Sequence, residues 1–151
     1  MIDVALVWDN ESGTADFAVS NNDLTQDSGL KTAVYMSLYT DQRAAVDDPV
    51  DDPDDRRGWW GDTLEADGDQ IGSRIWLYYR QKITTFVLAK IREAIEDSLQ
   101  WMIDDGVAAE ISVIVERNEL DRIYTEIKIY RESGSTVTVK YDDLWNAMEA
   151  E

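Results

Sequence analysis

Apolar residues recur with a period of two near both ends of this chain and with a helical period between them. Residues 2–8 place Ile2, Val4, Leu6 and Trp8 on one side and predict a strand. Asp9-Asn10-Glu11-Ser12-Gly13 is a turn cluster, and residues 15–19 predict the returning strand of a β-hairpin whose edge offers pairing to another chain. Residues 21–27 are polar and read as loop. The period then changes: Leu30, Val34 and Leu38, widened by Ala33 and Tyr35, predict a helix capped by Asp27 or Ser28 and running to about Thr40. At this spacing Tyr35 and Tyr39 read as core or rim residues rather than a binding box.

Residues 74–81, with Ile75, Trp76, Leu77, Tyr78 and Tyr79, predict a short helix leading into a long one. From Thr84 or Thr85 to about Asp104, a stripe of Val87, Ile91, Ile95, Leu99 and Met102 continues from Ile83. Phe86, Ala94 and Trp101 flank it, and Gly106 ends it. Arg92 with Glu96, and Lys90 with Glu93, are spaced to pair on the solvated face. Alternation returns at 108–117, with Ala109, Ile111, Val113 and Val115 inward. It continues at 121–131, with Ile123, Thr125, Ile127 and Ile129 opposite Tyr124, Glu126, Lys128 and Tyr130. Ser133-Gly134-Ser135 turns the chain into a third strand at 136–140. Asp142 and Asp143 favour the start of a last short helix whose apolar side is Leu144, Trp145 and Met148. The fold class is α+β in one domain, 1–151. It comprises an N-terminal β-hairpin, helices including one long central helix, an antiparallel β-meander packed on that helix, and a short C-terminal helix.

Charge narrows the function more than composition does. The hydrophobic fraction of 44% is ordinary for a folded domain, but the net charge of −18 opposes binding to nucleic-acid phosphates and to anionic membranes. The expected partner is a protein. With no cysteine and no histidine, thiol nucleophiles, imidazole bases and the commonest zinc ligands are absent. The N-terminus lacks the basic and apolar regions of a signal peptide, and no apolar run approaches the roughly 20 residues that span a bilayer, so a cytoplasmic setting is expected. Glu65-Ala66-Asp67-Gly68-Asp69 looks like part of a calcium loop, but with Gly68 at the sixth position the twelfth falls on Arg74 instead of a carboxylate. Carboxylate pairs are too numerous to single out a catalytic one, and no glycine motif cradles phosphate. No catalytic residue, cofactor, metal or small-molecule substrate is expected.

Residues 41–73 form a long acidic loop. Asp47-Asp48-Pro49-Val50-Asp51-Asp52-Pro53-Asp54-Asp55 carries both prolines and no regular period, and self-repulsion is expected to keep it extended and solvated. Beside it stands Arg56-Arg57-Gly58-Trp59-Trp60-Gly61-Asp62. Arginine and tryptophan dominate interface hot spots, so Arg56, Arg57, Trp59, Trp60, Gly61 and Asp62 are the candidate partner-binding residues. A plainer reading stands beside this one: one indole plugs the core and the arginines neutralise nearby aspartates.

This stretch, with Gly72-Ser73-Arg74-Ile75-Trp76-Leu77, Asp104-Asp105-Gly106-Val107 and Tyr141…Leu144-Trp145, resembles the Mu-type phage baseplate protein family. The opening Asp3-Val4-Ala5-Leu6-Val7-Trp8 and Ser37-Leu38-Tyr39-Thr40-Asp41 match as well, so the resemblance covers nearly the whole chain. It implies a small wedge protein of contractile tails, a structural part of the baseplate near the start of the sheath. Its partners would be other wedge and sheath proteins, met in the host bacterial cytoplasm during assembly and then held in the virion baseplate. Wider relatives use an arginine-bearing, glycine-ended motif after the first helix for wedge contacts. Arg56, Arg57 and Gly61 are its counterpart here, although the tryptophan pair departs from that pattern. The alternative is an acidic protein-binding module that mimics nucleic-acid charge.

Overall fold

The computed structural model describes residues 29–64 and 70–146 in full, together with the backbone of six short strands between 3 and 27 and of the last helical residues to 149. The strands are β1 (Asp3–Val4), β2 (Leu6–Asp9), β3 (Thr14–Phe17), β4 (Val19–Ser20), β5 (Asp23–Leu24) and β6 (Gln26–Asp27). β2 and β3 pair antiparallel with Trp8 opposite Ala15, which is the expected hairpin. The loop expected at 21–27 is corrected: β5 pairs with β4, and β6 pairs with β1. Ladder bonds are made by backbone groups, so a polar run joins a strand when a neighbour presents a matching edge. Ile2, residues 10–13 and the side chains expected to line this hairpin lie outside the described residues.

Helix α1 (Leu30–Tyr39) starts at Gly29, with φ 77° and no side-chain cap. The expected cap Asp27 is held in β6 opposite Asp3, while Ser28 lies outside the described residues. Helix α2 (Thr85–Asp104) matches its sequence signals closely. The Thr84 hydroxyl accepts the Val87 N–H at 3.2 Å, satisfying one of the free donors of the first turn. At the other end the Val107 N–H reaches Met102 O at 2.8 Å and the Gly106 N–H reaches Ile103 O at 3.0 Å, the bond pair of a left-handed glycine stop. Of the two expected pairs on its solvated face, Lys90–Glu93 closes at 2.7 Å and Arg92–Glu96 does not.

The meander consists of β7 (Glu110–Asn118), β8 (Arg122–Tyr130) and β9 (Thr136–Tyr141), with β8 central, Val113 opposite Ile127 and Ile127 opposite Val139. Helix α3 (Leu144–Glu149) follows. Leu144 is buried and Trp145 packs at the edge of the core, whereas the Met148 side chain lies outside the described residues. The core lies between α1, α2 and the inner face of the sheet. Val34, Ile91, Ile95, Leu99, Ile123, Ile127 and Ile129 are fully buried there, each burial worth roughly 1.5–3 kcal/mol. Tyr39 packs edge-on against buried Tyr141, and burial pushes both phenols well above their ordinary pKa. Tyr35 and Tyr39, with ring centres 4.4 Å apart, are both half-buried, the core or rim position that their spacing implies.

On the outer sheet face the Glu126 carboxylate accepts hydrogen bonds from Lys128 and Lys140, each at 2.8 Å, and from the Tyr124 hydroxyl at 2.9 Å. These donors, Lys128 first, hold its pKa down to about 2.

Two elements of the core fix the ends of the acidic loop. Ser73 donates its N–H to Thr40 O at 2.9 Å, accepts the Gln42 N–H at 3.0 Å, and donates its hydroxyl to Leu38 O at 2.7 Å. This one-rung parallel bridge between Asp41 and Ser73 brings the two ends of the loop together at the C-terminus of α1. Gly72 makes the approach feasible: its φ is 110°, and a Cβ there would lie 2.3 Å from Thr40 O.

Gly72→Ala meets both obstacles, so urea denaturation should show a loss of at least about 2 kcal/mol; an unchanged midpoint would contradict this account of the closure. Glu126→Gln removes a carboxylate whose pKa is lowered by folding. That group stabilises the fold fully above its unfolded pKa near 4.5 and loses the effect as pH falls toward 2. The melting-temperature gap between wild type and Glu126→Gln should therefore narrow from pH 5 down to pH 2. A gap constant with pH would refute the assignment.

Candidate functional site

The acidic loop is not extended by self-repulsion as its composition implies; it is drawn in by short-range bonds. The Asp48 carboxylate accepts the Ala45 N–H at 2.7 Å, Asp52 accepts the Asp54 N–H at 2.9 Å, and Asp55 accepts the Arg57 N–H at 3.2 Å. Each is an aspartate folding its own neighbouring backbone into a turn. The Ala44 N–H bonds to Arg56 O at 2.9 Å, a second closure nested inside the one at Ser73.

Three arginines complete the clamp. Arg56 donates to the carbonyls of Ala45 and Val46 rather than to an aspartate. Arg57, in the left-handed region at φ 49°, donates to the Asp41 carboxylate at 2.7 Å, and its guanidinium lies 4.5 Å from the centre of the Trp76 ring. The Trp76 indole in turn donates to Gln42 O at 2.9 Å. Arg74 spans Asp48 at 3.3 Å and Asp97 of α2 at 3.1 Å. Burial works against its charge, but Asp48 and then Asp97 outweigh that and hold its pKa above the ordinary arginine value.

This clamp presents the indoles outward. Trp59 is 41% exposed and Trp60 72%, with ring centres 5.4 Å apart, and neither belongs to the buried core. Trp60 opens a 3-10 turn over Trp60–Thr63. Gly61 is buried beneath the Trp59 ring, where a Cβ would come within 2.0 Å of the indole. Asp62 accepts the Ile71 N–H at 3.2 Å, while its other carboxylate oxygen is buried without a hydrogen-bond partner among the described residues. The six candidate residues thus divide by role. Arg56, Arg57, Gly61 and Asp62 hold the loop, and Trp59 and Trp60 are what it displays. No tryptophan of this stretch plugs the core; Arg57 does pair with an aspartate, as the plainer reading has it.

Asp41, Arg74 and Trp76 also build the site, and local reading missed them as parts of it. They lie 16 to 26 residues from their partners in the loop, Asp41 and Trp76 meeting Arg57 and Arg74 meeting Asp48 without any periodic signal. A cleft of about 390 Å³ opens beside the clamp, between Asp51, Asp52 and Asp55 on one side and Trp76, Tyr79 and Arg80 on the other. It carries charges of both signs, and this chain has no thiol or imidazole to put there. Among the described residues no cluster of three or more acidic side chains is arranged to hold a metal ion, and no helix is long and apolar enough to cross a membrane. Residues 65–69, which hold the calcium-like segment, lie outside the described residues.

Comparison with known proteins places these elements in a lineage. Residues 30–136, from the start of α1 to the start of β9, match the family model described as Phage protein GP46. The chain is 36% identical over 149 residues to a protein of Escherichia phage Mu named "Baseplate protein gp46", covering 98% of this chain and 100% of that one. It is 33% identical over 146 residues to "Mu-like prophage FluMu protein gp46" of Haemophilus influenzae (strain ATCC 51907 / DSM 11121 / KW20 / Rd), covering 97% and 99%. Identity at this level, end to end and spanning the clamp, both helices and the sheet, leaves one conclusion: the chain belongs to the phage protein GP46 family.

Proposed function

We propose that this protein is a structural component of the baseplate of a contractile phage tail or a prophage-derived particle, contributing as one domain to wedge assembly and to the start of the sheath. The observation that carries this reading is the end-to-end similarity to a phage Mu protein named as a baseplate component. The geometry supports a contact role rather than chemistry. Two adjacent indoles stand exposed on a loop that is fixed from within by arginines, so little ordering is needed when a partner covers them. The partners are other wedge and sheath proteins, met in the host cytoplasm before the baseplate is complete. The protein is not an enzyme in this reading.

Trp60 gives the cleaner test, because Arg57 is committed to Asp41 and Trp76. Trp60→Ala should leave the domain folded with nearly unchanged melting but cost the contact about 2 kcal/mol or more, seen as tails without sheath or baseplates stalled at the wedge. Arg57→Ala should loosen the loop and lower incorporation as well. Normal incorporation of Trp60→Ala, with a collapsed melting temperature, would sink the contact role.

Purified protein should also leave peptidoglycan intact under conditions in which a lysozyme clears it. Clearing abolished by replacing one Asp or Glu would overturn the structural assignment.

A further inference from the structure

A second apolar site lies between the helices. Ala33, Met36 and Ser37 of α1 and Ser98 and Trp101 of α2 line a groove of about 260 Å³, closed at one end by Ile71 and Gly72. Met36 and Trp101 are both exposed there. The groove is next to the indole loop, since the Ile71 N–H is bonded to Asp62.

Its chemistry selects an occupant. The Trp101 indole donates to the Ser37 hydroxyl oxygen at 3.1 Å and the Ser98 hydroxyl donates to Ile95 O at 2.8 Å, while exposed Gln70, at the edge of the groove, accepts from the Gln42 amide at 3.4 Å. A polar ligand would lose its hydration and find few partners, whereas an apolar side chain loses nothing by entering. The volume falls below the roughly 300–1,000 Å³ of small-molecule pockets, which suits one or two side chains anchored in a contact.

The rim sets the charge of what carries that anchor. Among the described residues neither lysine nor arginine lines the groove. Asp104 at the end of α2 and its cap Asp105 follow Trp101 by three and four residues, so both fall beside the groove. Asp104 accepts a hydrogen bond from the Gln100 amide at 3.0 Å, and both aspartates are exposed. A second copy of this chain, with its net charge of −18, would bring acid against acid. We infer that the α1–α2 groove docks an apolar side chain carried on a lysine- or arginine-rich segment of a different protein. This holds whether or not the indole loop is a wedge contact.

The test uses the full chain and three synthetic peptides: an amphipathic Leu/Lys peptide, its Leu/Glu counterpart and a Ser/Lys peptide without apolar residues. Binding is read from the Trp101 indole N–H resonance, assigned with Trp101→Phe. The Leu/Lys peptide should shift that resonance saturably, and the other two should bind at least about tenfold more weakly. Ser98→Leu, which fills the groove, and the pair Asp104→Lys with Asp105→Lys should each weaken the Leu/Lys peptide by about tenfold or more. If Ser98→Leu does not fold, Ala33→Leu fills the same space from the half-buried edge. Trp60→Ala should leave this binding unchanged, which separates the groove from the indole loop. The inference is overturned if the Ser/Lys peptide binds equally well or groove filling has no effect. It is overturned equally if Trp60→Ala abolishes binding, or if sedimentation shows a self-dimer broken by groove filling.

Discussion

Everything distinctive about this molecule depends on how it folds an acidic loop against its own repulsion. With 32 acidic and 14 basic residues, most carboxylates have no cation available, so where the few arginines sit decides what can be ordered. Arg56, Arg57 and Arg74 all go to the loop. Exposed pairs such as Arg57–Asp41 are worth roughly 0–1 kcal/mol each, and salt weakens them. They suffice because the ends of the loop are already fixed at Ser73, where burial and backbone bonds carry the larger share. The arginines choose one conformation from a loop that is already closed.

That division of labour explains why the indoles are outside. A loop closed at 41 and 73, drawn in again at 44 and 56, and bonded through Asp62 to Ile71 has no slack to bring Trp60 into a core already filled by α2 and the sheet. Trp59 lies over Gly61 and Trp60 projects beyond it. An exposed pair of large apolar rings costs solubility unless something covers it, which is the contact proposed above. The groove between α1 and α2 adds a second apolar feature close by, framed by aspartates instead of arginines.

Sequence alone determined the parts whose structure is local. The Thr84 cap, the glycine stop at Gly106 and the 3.6-residue stripe of α2 specify that helix without reference to anything distant; period-two alternation does the same for β7 and β8, and the Ser133-Gly134-Ser135 turn for β9. The resemblance carried by the tryptophan and glycine motifs also reached the family. Tertiary structure alone decided the rest. Residues 23–24 and 26–27 join strands because neighbouring backbone edges are present, and Gly29 replaces Asp27 as the start of α1 because Asp27 is occupied in a ladder. Arg57 meets Trp76, and Arg74 meets Asp48, only after Gly72 lets the chain pass within bonding distance of Thr40. Composition predicted an extended acidic segment because it counts charges without their positions; the folded loop exists because closure sets a few cations and turn-forming aspartates at distances no linear pattern encodes.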